Sequence, residues 1–432
     1  MKHRLLGIMA LAILGMINSY LQKHRCFVLA LLAVLASTFV AGVGAADLPP
    51  LHIVDPPKGV DEKTEAAGVP SWGLGPFVRC PENPLIKPRP EATFFCPIQK
   101  TNVFWEALSI VGAAAAVKDG QVYWLYRAET KVMGDSRVGL GISEDGVHSR
   151  RSPTPVIYPD EDAFKKYEWP GGTEDGRIVM REDGLYLYFY PAYNGSRINR
   201  NSWQSVATSR DLVHWTKQGP VYALDPKTGF SAVPTTELEK GLTVVSRYYD
   251  DGRVVAEKIN GKYWAYLFGF NVANSDDCIH WKPVVDAQGK AITVLPPRSG
   301  GGKFDCNMTE PGPPPIVTPK GILVIYHGGE NDPKHGDPNL PRRAYSGGQA
   351  LFDLNDPAKM IARCDSYFLT PRMPYELNNY DGAPVCFMEG LVRFKGKWLL
   401  YYEAADHVGC MASCDQPGFE SGTNRVPREI TR

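Results

Sequence analysis

Residues 183–190, Asp183-Gly-Leu-Tyr-Leu-Tyr-Phe-Tyr190, decide the fold. A two-residue turn signal runs straight into an apolar, aromatic strand, as in a hairpin feeding a buried strand. The arrangement recurs as Asp119-Gly before residues 122–127, Asn260-Gly before 263–268, Lys320-Gly before 322–327 and Lys395-Gly before 398–403. From Asp119 to Lys395 these turns are 60–77 residues apart. Five turn-strand units of that period predict an all-β chain, a single-domain five-bladed β-propeller. A second pattern is interleaved with the first. Ser143-Glu-Asp145, Ser209-Arg-Asp211 and Ser275-Asp-Asp277 share S-x-D, and the last two continue to Trp215 and Trp281. In each the Asp is expected to cap its own turn, with the Trp packed beneath it.

Composition narrows the function. Lys+Arg and Asp+Glu both number 47, so the net charge is zero. Nucleic-acid binders carry a basic surplus, so that class is excluded. The 21 Tyr, 17 Phe and 9 Trp suit strands, and their faces also suit the apolar face of a sugar ring. Pro and Gly total 36 and 42, in keeping with many loops.

The first 46 residues read as targeting rather than fold. Gln22-Lys-His-Arg25 is basic, residues 26–40 are apolar, and residues 41–46 are small, leading to Asp47. Upstream, residues 5–17 form a second apolar run, short for a membrane span. Either Met16 is the true start, or the segment is retained as a membrane anchor. The small-residue site favours export with cleavage, to a secreted or periplasmic location. The expected division is signal 1–46, extension 47–74, propeller 75–410 and tail 411–432. Past Cys26 the eight cysteines are an even number, which permits disulfides in an exported chain. No C-x-x-C pair is present, which argues against a zinc ribbon. Two N-x-S/T sequons begin at Asn194 and Asn307.

Residues 171–178, GGTEDGRI, hold the densest chemistry: Glu174 and Asp175 beside Arg177 in a glycine-rich turn. A carboxylate on a rigid turn, faced by a guanidinium, can be fixed and tuned for proton transfer. Arg127, Asp175, Glu310, His327 and Asp406 all lie near strand ends. A propeller would gather them at one end of its channel.

Several motifs in order resemble glycoside hydrolase family 130, the mannoside phosphorylases and mannosidases, from about Asn83 to about Gly409. They are the Asn83-Pro-Leu-Ile entry, residues 117–120 with 125–129, residues 172–178, Gly312-Pro-Pro-Pro-Ile316 with Tyr326-His-Gly328, residues 350–357, and Tyr401-Tyr-Glu-Ala-Ala-Asp406. The resemblance implies Asp175 as general acid, Asp406 at the sugar of the cleavage subsite, and Arg127, Glu174, Arg177 and His327 as further binding residues. It implies a mannoside oligosaccharide as substrate and no metal or organic cofactor.

The chain also departs from the family pattern. Gly176 replaces the Pro of G-x-E-D-P-R-I, which loosens the turn. Met308 stands where phosphorylases carry the Lys that meets phosphate, and a thioether is no phosphate ligand. Glu310 adds a carboxylate there, which repels phosphate and is suited to activating water as general base. Arg197 is a loose candidate for a phosphate-binding Arg, and Trp105-Glu106 replaces a common Asn-Pro. The leading expectation is an exported, inverting mannoside hydrolase using Asp175 and Glu310. A phosphorylase is the alternative, and a non-catalytic sugar-binding propeller is the third reading.

Overall fold

The computed structural model describes residues 51–130, 135–195, 201–229, 240–378, 380 and 383–416. The targeting segment 1–46, Arg197 and residues 417–432 lie outside them.

The fold is all-β, with only short helices such as Glu62–Ala67, Lys165–Glu168 and Pro374–Leu377. Among the described residues the strands form successive antiparallel meanders. The first runs Ser109–Lys118, Gln121–Glu129, Ser136–Ser143, Ser149–Arg151. The second runs Arg177–Met180, Tyr186–Asn194, Asn201–Ser209, Thr216–Pro220. The third is built on Lys262–Leu267, Asn271–Ser275 and Trp281–Pro283, with Thr243–Val244 on its inner side. The fourth runs from Met308–Pro311 and Ile316–Thr318 through Gly321–Gly329 and Ser346–Phe352 to Met360–Arg363. The last runs Cys386–Phe394, Lys397–Ala404, Val408–Cys414, and takes its outer strand, Val78–Arg79, from the start of the fold. The final strand thus passes the expected boundary at 410 and ends at Cys414.

Three of the five recurring turns take the two-residue hairpin geometry the sequence implied, and at Asp183-Gly184 and Lys320-Gly321 only the glycine has positive φ. Asp119 and Gly120, Asn260 and Gly261, and Lys395 and Gly396 all have positive φ, the primed-turn geometry that matches strand twist. Each feeds the second strand of its meander, buried on both faces and packed against neighbours. Trp124 meets Tyr401 at 5.2 Å, and Tyr248 meets Trp398 at 5.5 Å. Trp124 and Trp398 are 1% and 2% exposed. Burying such a ring removes roughly 150–250 Å² from water, an upper bound of about 4–6 kcal/mol.

The S-x-D turns form as expected in three copies. The Asp145, Asp211 and Asp277 carboxylates each accept two backbone N–H groups and meet His148, His214 or His280. Trp215 then packs on Tyr188, and Trp281 on Phe189.

The extension joins the fold from its helix onward. Buried Arg79 binds Glu65 of that helix and Glu376 ahead of the last meander, both at 2.7 Å. Removing one partner of such a buried pair costs about 3–5 kcal/mol. The eight described cysteines are buried and unpaired, so the disulfides that the even count permitted are not formed among the described residues. No described helix is long and apolar enough to cross a membrane. Among the described residues no group of three or more His, Cys, Asp or Glu is arranged to hold a metal.

Candidate active site

A cleft of about 290 Å³ gathers residues far apart in sequence. Arg127, Asp175, Glu310 and Asp406, four of the five residues expected to converge, line it together with Glu174, and His327 does not. Tyr193, Tyr345, Tyr380 and Phe387 supply aromatic walls.

Asp175 stands between the short strand Gly172–Thr173 and the strand Arg177–Met180. Gly172, at φ +109, lies so close to Ser136 that a Cβ would sit 2.3 Å from its carbonyl oxygen. That contact anchors the turn. Arg127, from the first meander, donates to Asp175 at 3.0 Å and approaches Glu174 at 3.1 Å, and it also binds Glu129. One buried guanidinium thus faces three carboxylates. Burial pushes the Asp175 carboxyl up, but Arg127, then Lys240 and Arg177, outweigh it and hold it below the ordinary carboxylate range.

Gly176 has a packing reason. A Cβ there would lie 2.0 Å from the Tyr188 ring. The missing Pro therefore does not loosen the turn; the buried Tyr188 fills the space a ring at 176 would need.

Glu310, 2% exposed, comes from Met308–Pro311 of the fourth meander. Lys240 donates to its Oε2 at 3.0 Å. Arg177 does not line the cleft but works behind it. It donates to the carbonyl of Asp175 at 3.0 Å and to that of Pro311 at 3.0 Å, meets Glu389 at 3.0 Å, and lies 4.0 Å from Glu310. Burial pushes Glu389 up to about 8, against the pull of Arg177 and with Asp175 and Glu310 adding to the rise.

Asp406 sits at a strained corner, where Ala405 and Asp406 both have positive φ, at 56° and 51°. Its carboxyl meets Glu403, whose Oε2 accepts the Gly112 N–H at 2.6 Å. Burial, then Asp406, pushes Glu403 well above the carboxylate range. Two carboxyls joined by a hydrogen bond need a proton between them, and Glu403 carries it.

His327 is placed otherwise than expected. It is fully buried, stacked 3.7 Å from the Phe387 ring, and its Nε2 accepts the Met388 N–H at 2.7 Å. Burial, then Arg177, holds it neutral. It backs the cleft wall and does not line the cleft. Met308 also lies outside the lining. Trp105 and Glu106 are fully buried, and Glu106 holds Arg89, Arg151 and the Tyr126 hydroxyl. They brace the first meander and do not line the cleft.

Sequence reading missed Lys240, Glu389 and Glu403. Glu403 closes a strand that the turn-strand repeat had already singled out. Lys240 and Glu389 carry no motif signal at all.

Comparison with known proteins shows the family. A 1,2-beta-oligomannan phosphorylase of Thermoanaerobacter sp. (strain X514) is 27% identical over 318 residues, 70% of this chain and 89% of that protein. The crystal structure of a glycosyl hydrolase from Bacteroides ovatus is 38% identical, with a TM-score of 0.71, covering 80% of this chain and 95% of that one. A further structure is reported with the finding that family 130 contains glycoside hydrolases targeting beta-1,2 mannosidic linkages in Candida mannan. It is 37% identical, with a TM-score of 0.72, covering 80% of this chain and 95% of that one. A family model described as beta-1,4-mannooligosaccharide phosphorylase matches residues 79–417, and the chain belongs to glycoside hydrolase family 130.

Proposed function

We propose that this protein cleaves β-1,2-linked mannosides with Asp175 as general acid, in a cleft at the mouth of a five-bladed propeller whose blades are the five meanders. The observation that carries the reading is the pairing of Asp175 with Arg127 and of Glu310 with Lys240 in one cleft. Two carboxyl groups from separate elements, each against its own cation, suit an acid and a base.

In the hydrolytic form, Glu310 takes a proton from water as its oxygen attacks the anomeric carbon. The glycosidic C–O bond breaks, and the proton on Asp175 goes to the leaving sugar oxygen. Arg127 favours the ionised form of Asp175 in the free protein, so formation of the reactive complex is coupled to proton uptake.

The acceptor divides the readings. The curated relative is a phosphorylase, and by such relatives phosphate is the better supported acceptor. The cleft supports water. Met308 supplies no cation, and the cleft's Lys240 and Arg343 are already paired with Glu310 and Glu330. An anion beside Glu310 meets repulsion of about 1 kcal/mol at 4 Å in water and about 4 kcal/mol at an effective dielectric of 20. The solved structures at 38% and 37% identity, described through glycoside hydrolases, support the same choice. Gly176 and Trp105, two departures from the family pattern, have packing explanations.

We also propose export, from the basic, apolar and small-residue order of residues 22–46. The deciding experiment incubates β-1,2-mannobiose with and without phosphate. Free mannose at equal rates supports hydrolysis; mannose 1-phosphate that appears only with phosphate replaces it by phosphorolysis; no cleavage by either route rejects the enzymatic reading.

A further inference from the structure

Glu389 is a buried acid to which the proposed reaction gives no role. It lies on Cys386–Phe394, where the register with Lys397–Ala404 shifts between Met388 and Gly390. Glu389 is the extra residue of that bulge. A bulge bends the strand and re-aims a side chain out of the alternation. Here it turns the carboxyl away from the cleft lining and into the protein, where it is 1% exposed.

A second bulge receives it. The register of Ser109–Lys118 shifts between Val111 and Ala114, and Gly112 within it has φ +59. A Cβ at Gly112 would sit 1.9 Å from Glu389 Oε2. Only glycine suits both the backbone and the space. A residue at 390 is equally confined, since a Cβ there would lie 2.2 Å from the Ala113 carbonyl oxygen. Two irregular strands from different meanders thus fit each other around one carboxyl group.

That carboxyl reaches a single partner of consequence. Glu389 Oε1 lies 3.0 Å from Arg177 Nη1, a close polar contact at an angle that makes no hydrogen bond. The same Nη1 holds the Asp175 carbonyl at 3.0 Å. Nη2 holds the Pro311 carbonyl at 3.0 Å and Nε the Gly312 carbonyl at 3.4 Å. The guanidinium plane also lies 5.5 Å from the centre of the Phe387 ring, a cleft wall. Arg177 therefore spans the acid's turn and the end of the strand that carries Glu310.

We propose that Glu389 is a positioning residue for cleavage: by fixing Arg177 it sets the separation of the Asp175 turn from the Glu310 strand. The proposal rests on the functional reading above. The charged or titratable groups facing Glu389 are Arg177, Asp175, Glu310, Arg127, Glu403 and Tyr188. Burial pushes its carboxyl up to about 8, so near neutral pH it meets Arg177 as a neutral carboxyl, and the charge around Arg177 changes as it ionises at higher pH.

The test compares the wild type with E389A and E389Q, using kcat, KM, the pH–rate profile and thermal melting with β-1,2-mannobiose. Loss of the contact leaves the guanidinium held by the three backbone carbonyls without its side-chain partner, and misplacement on the ångström scale costs up to about 100-fold in rate. E389A should lower kcat by about 10–100-fold with KM little changed. E389Q should restore most of that loss and lack the wild-type titration near pH 8. A purely structural role would lower the melting temperature of both variants and leave the pH profile alone; that result overturns the proposal, as does an E389A kcat within twofold of wild type. If E389A does not fold, the E389Q profile decides. Should the wild type cleave no mannoside, the functional reading fails. The proposal concerns cleavage and is overturned with it, whereas a wild type that cleaves with an unaffected E389A overturns the proposal alone.

Discussion

Lys240 donates to Glu310 across 3.0 Å, so the lysine of the cleft is matched to a carboxylate before any substrate arrives. An incoming phosphate would have to take Lys240 from Glu310 and then lie beside that carboxylate. Phosphate should therefore leave the rate of mannoside cleavage unchanged. E310Q should lower the rate by about 10²–10⁴, the usual worth of a positioned base, with melting behaviour preserved. Mannose 1-phosphate detected by NMR as a wild-type product contradicts this.

D175N should lower cleavage by a similar factor of about 10²–10⁴. The same variant reports on stability. Asp175 is held below its ordinary range by Arg127 against the effect of burial. A depressed carboxyl stabilises the fold above its unfolded pKa of about 3.9, and that stabilisation is lost as pH falls through the folded value. D175N should then melt below the wild type at pH 6, with the gap closing as the pH falls below about 4. A gap constant from pH 6 to pH 3 would show that the Arg127 contact is not stabilising.

Glu403 and Asp406 share a proton, with Glu403 as the donor and the Gly112 N–H as its other partner. An amide at 403 keeps both bonds: its NH₂ donates and its oxygen accepts. E403A should raise KM for mannobiose by about tenfold, the value of roughly one charge-assisted hydrogen bond at 1.5–3 kcal/mol. E403Q should recover most of that. If E403Q is the more damaged of the two, Glu403 acts as a carboxylate and the shared-proton description is wrong.

Gly176 should resist the family's own residue. A side chain there meets Tyr188 at 2.0 Å, and overpacking a buried site costs typically about 1–3 kcal/mol. G176P should lower the melting temperature and the rate together, and the double change G176P/Y188A should regain part of the rate. Full activity in G176P alone would mean that the turn has room the geometry denies.

What could be read from the sequence follows local rules. Asp119-Gly120 and Asn260-Gly261 announce primed turns because few residues accept positive φ, and the strands after them repeat. Asp175 and Glu310 were visible because each sits in a dense cluster of turn and proline residues. Glu389 was hidden because a bulge breaks the alternation that tells inward from outward positions. Lys240 borders residues that carry no periodic pattern, and only the folded chain brings it to Glu310. His327 looked like a ligand because it sits in the Tyr326-His-Gly328 motif that carries the family resemblance. Its stacking on Phe387 depends on the neighbouring meander, which no local pattern shows.

Val78 pairs with Ser413, and Arg79 with Ala412. The sheet that supplies Glu389 and Glu403 is therefore finished by a strand from the opposite end of the fold. During synthesis, every residue from Arg79 to Ala412 must be made before that strand finds its neighbour. The cleft is thus among the last features to form, and a growing chain holds an incomplete site until nearly all of it has left the ribosome.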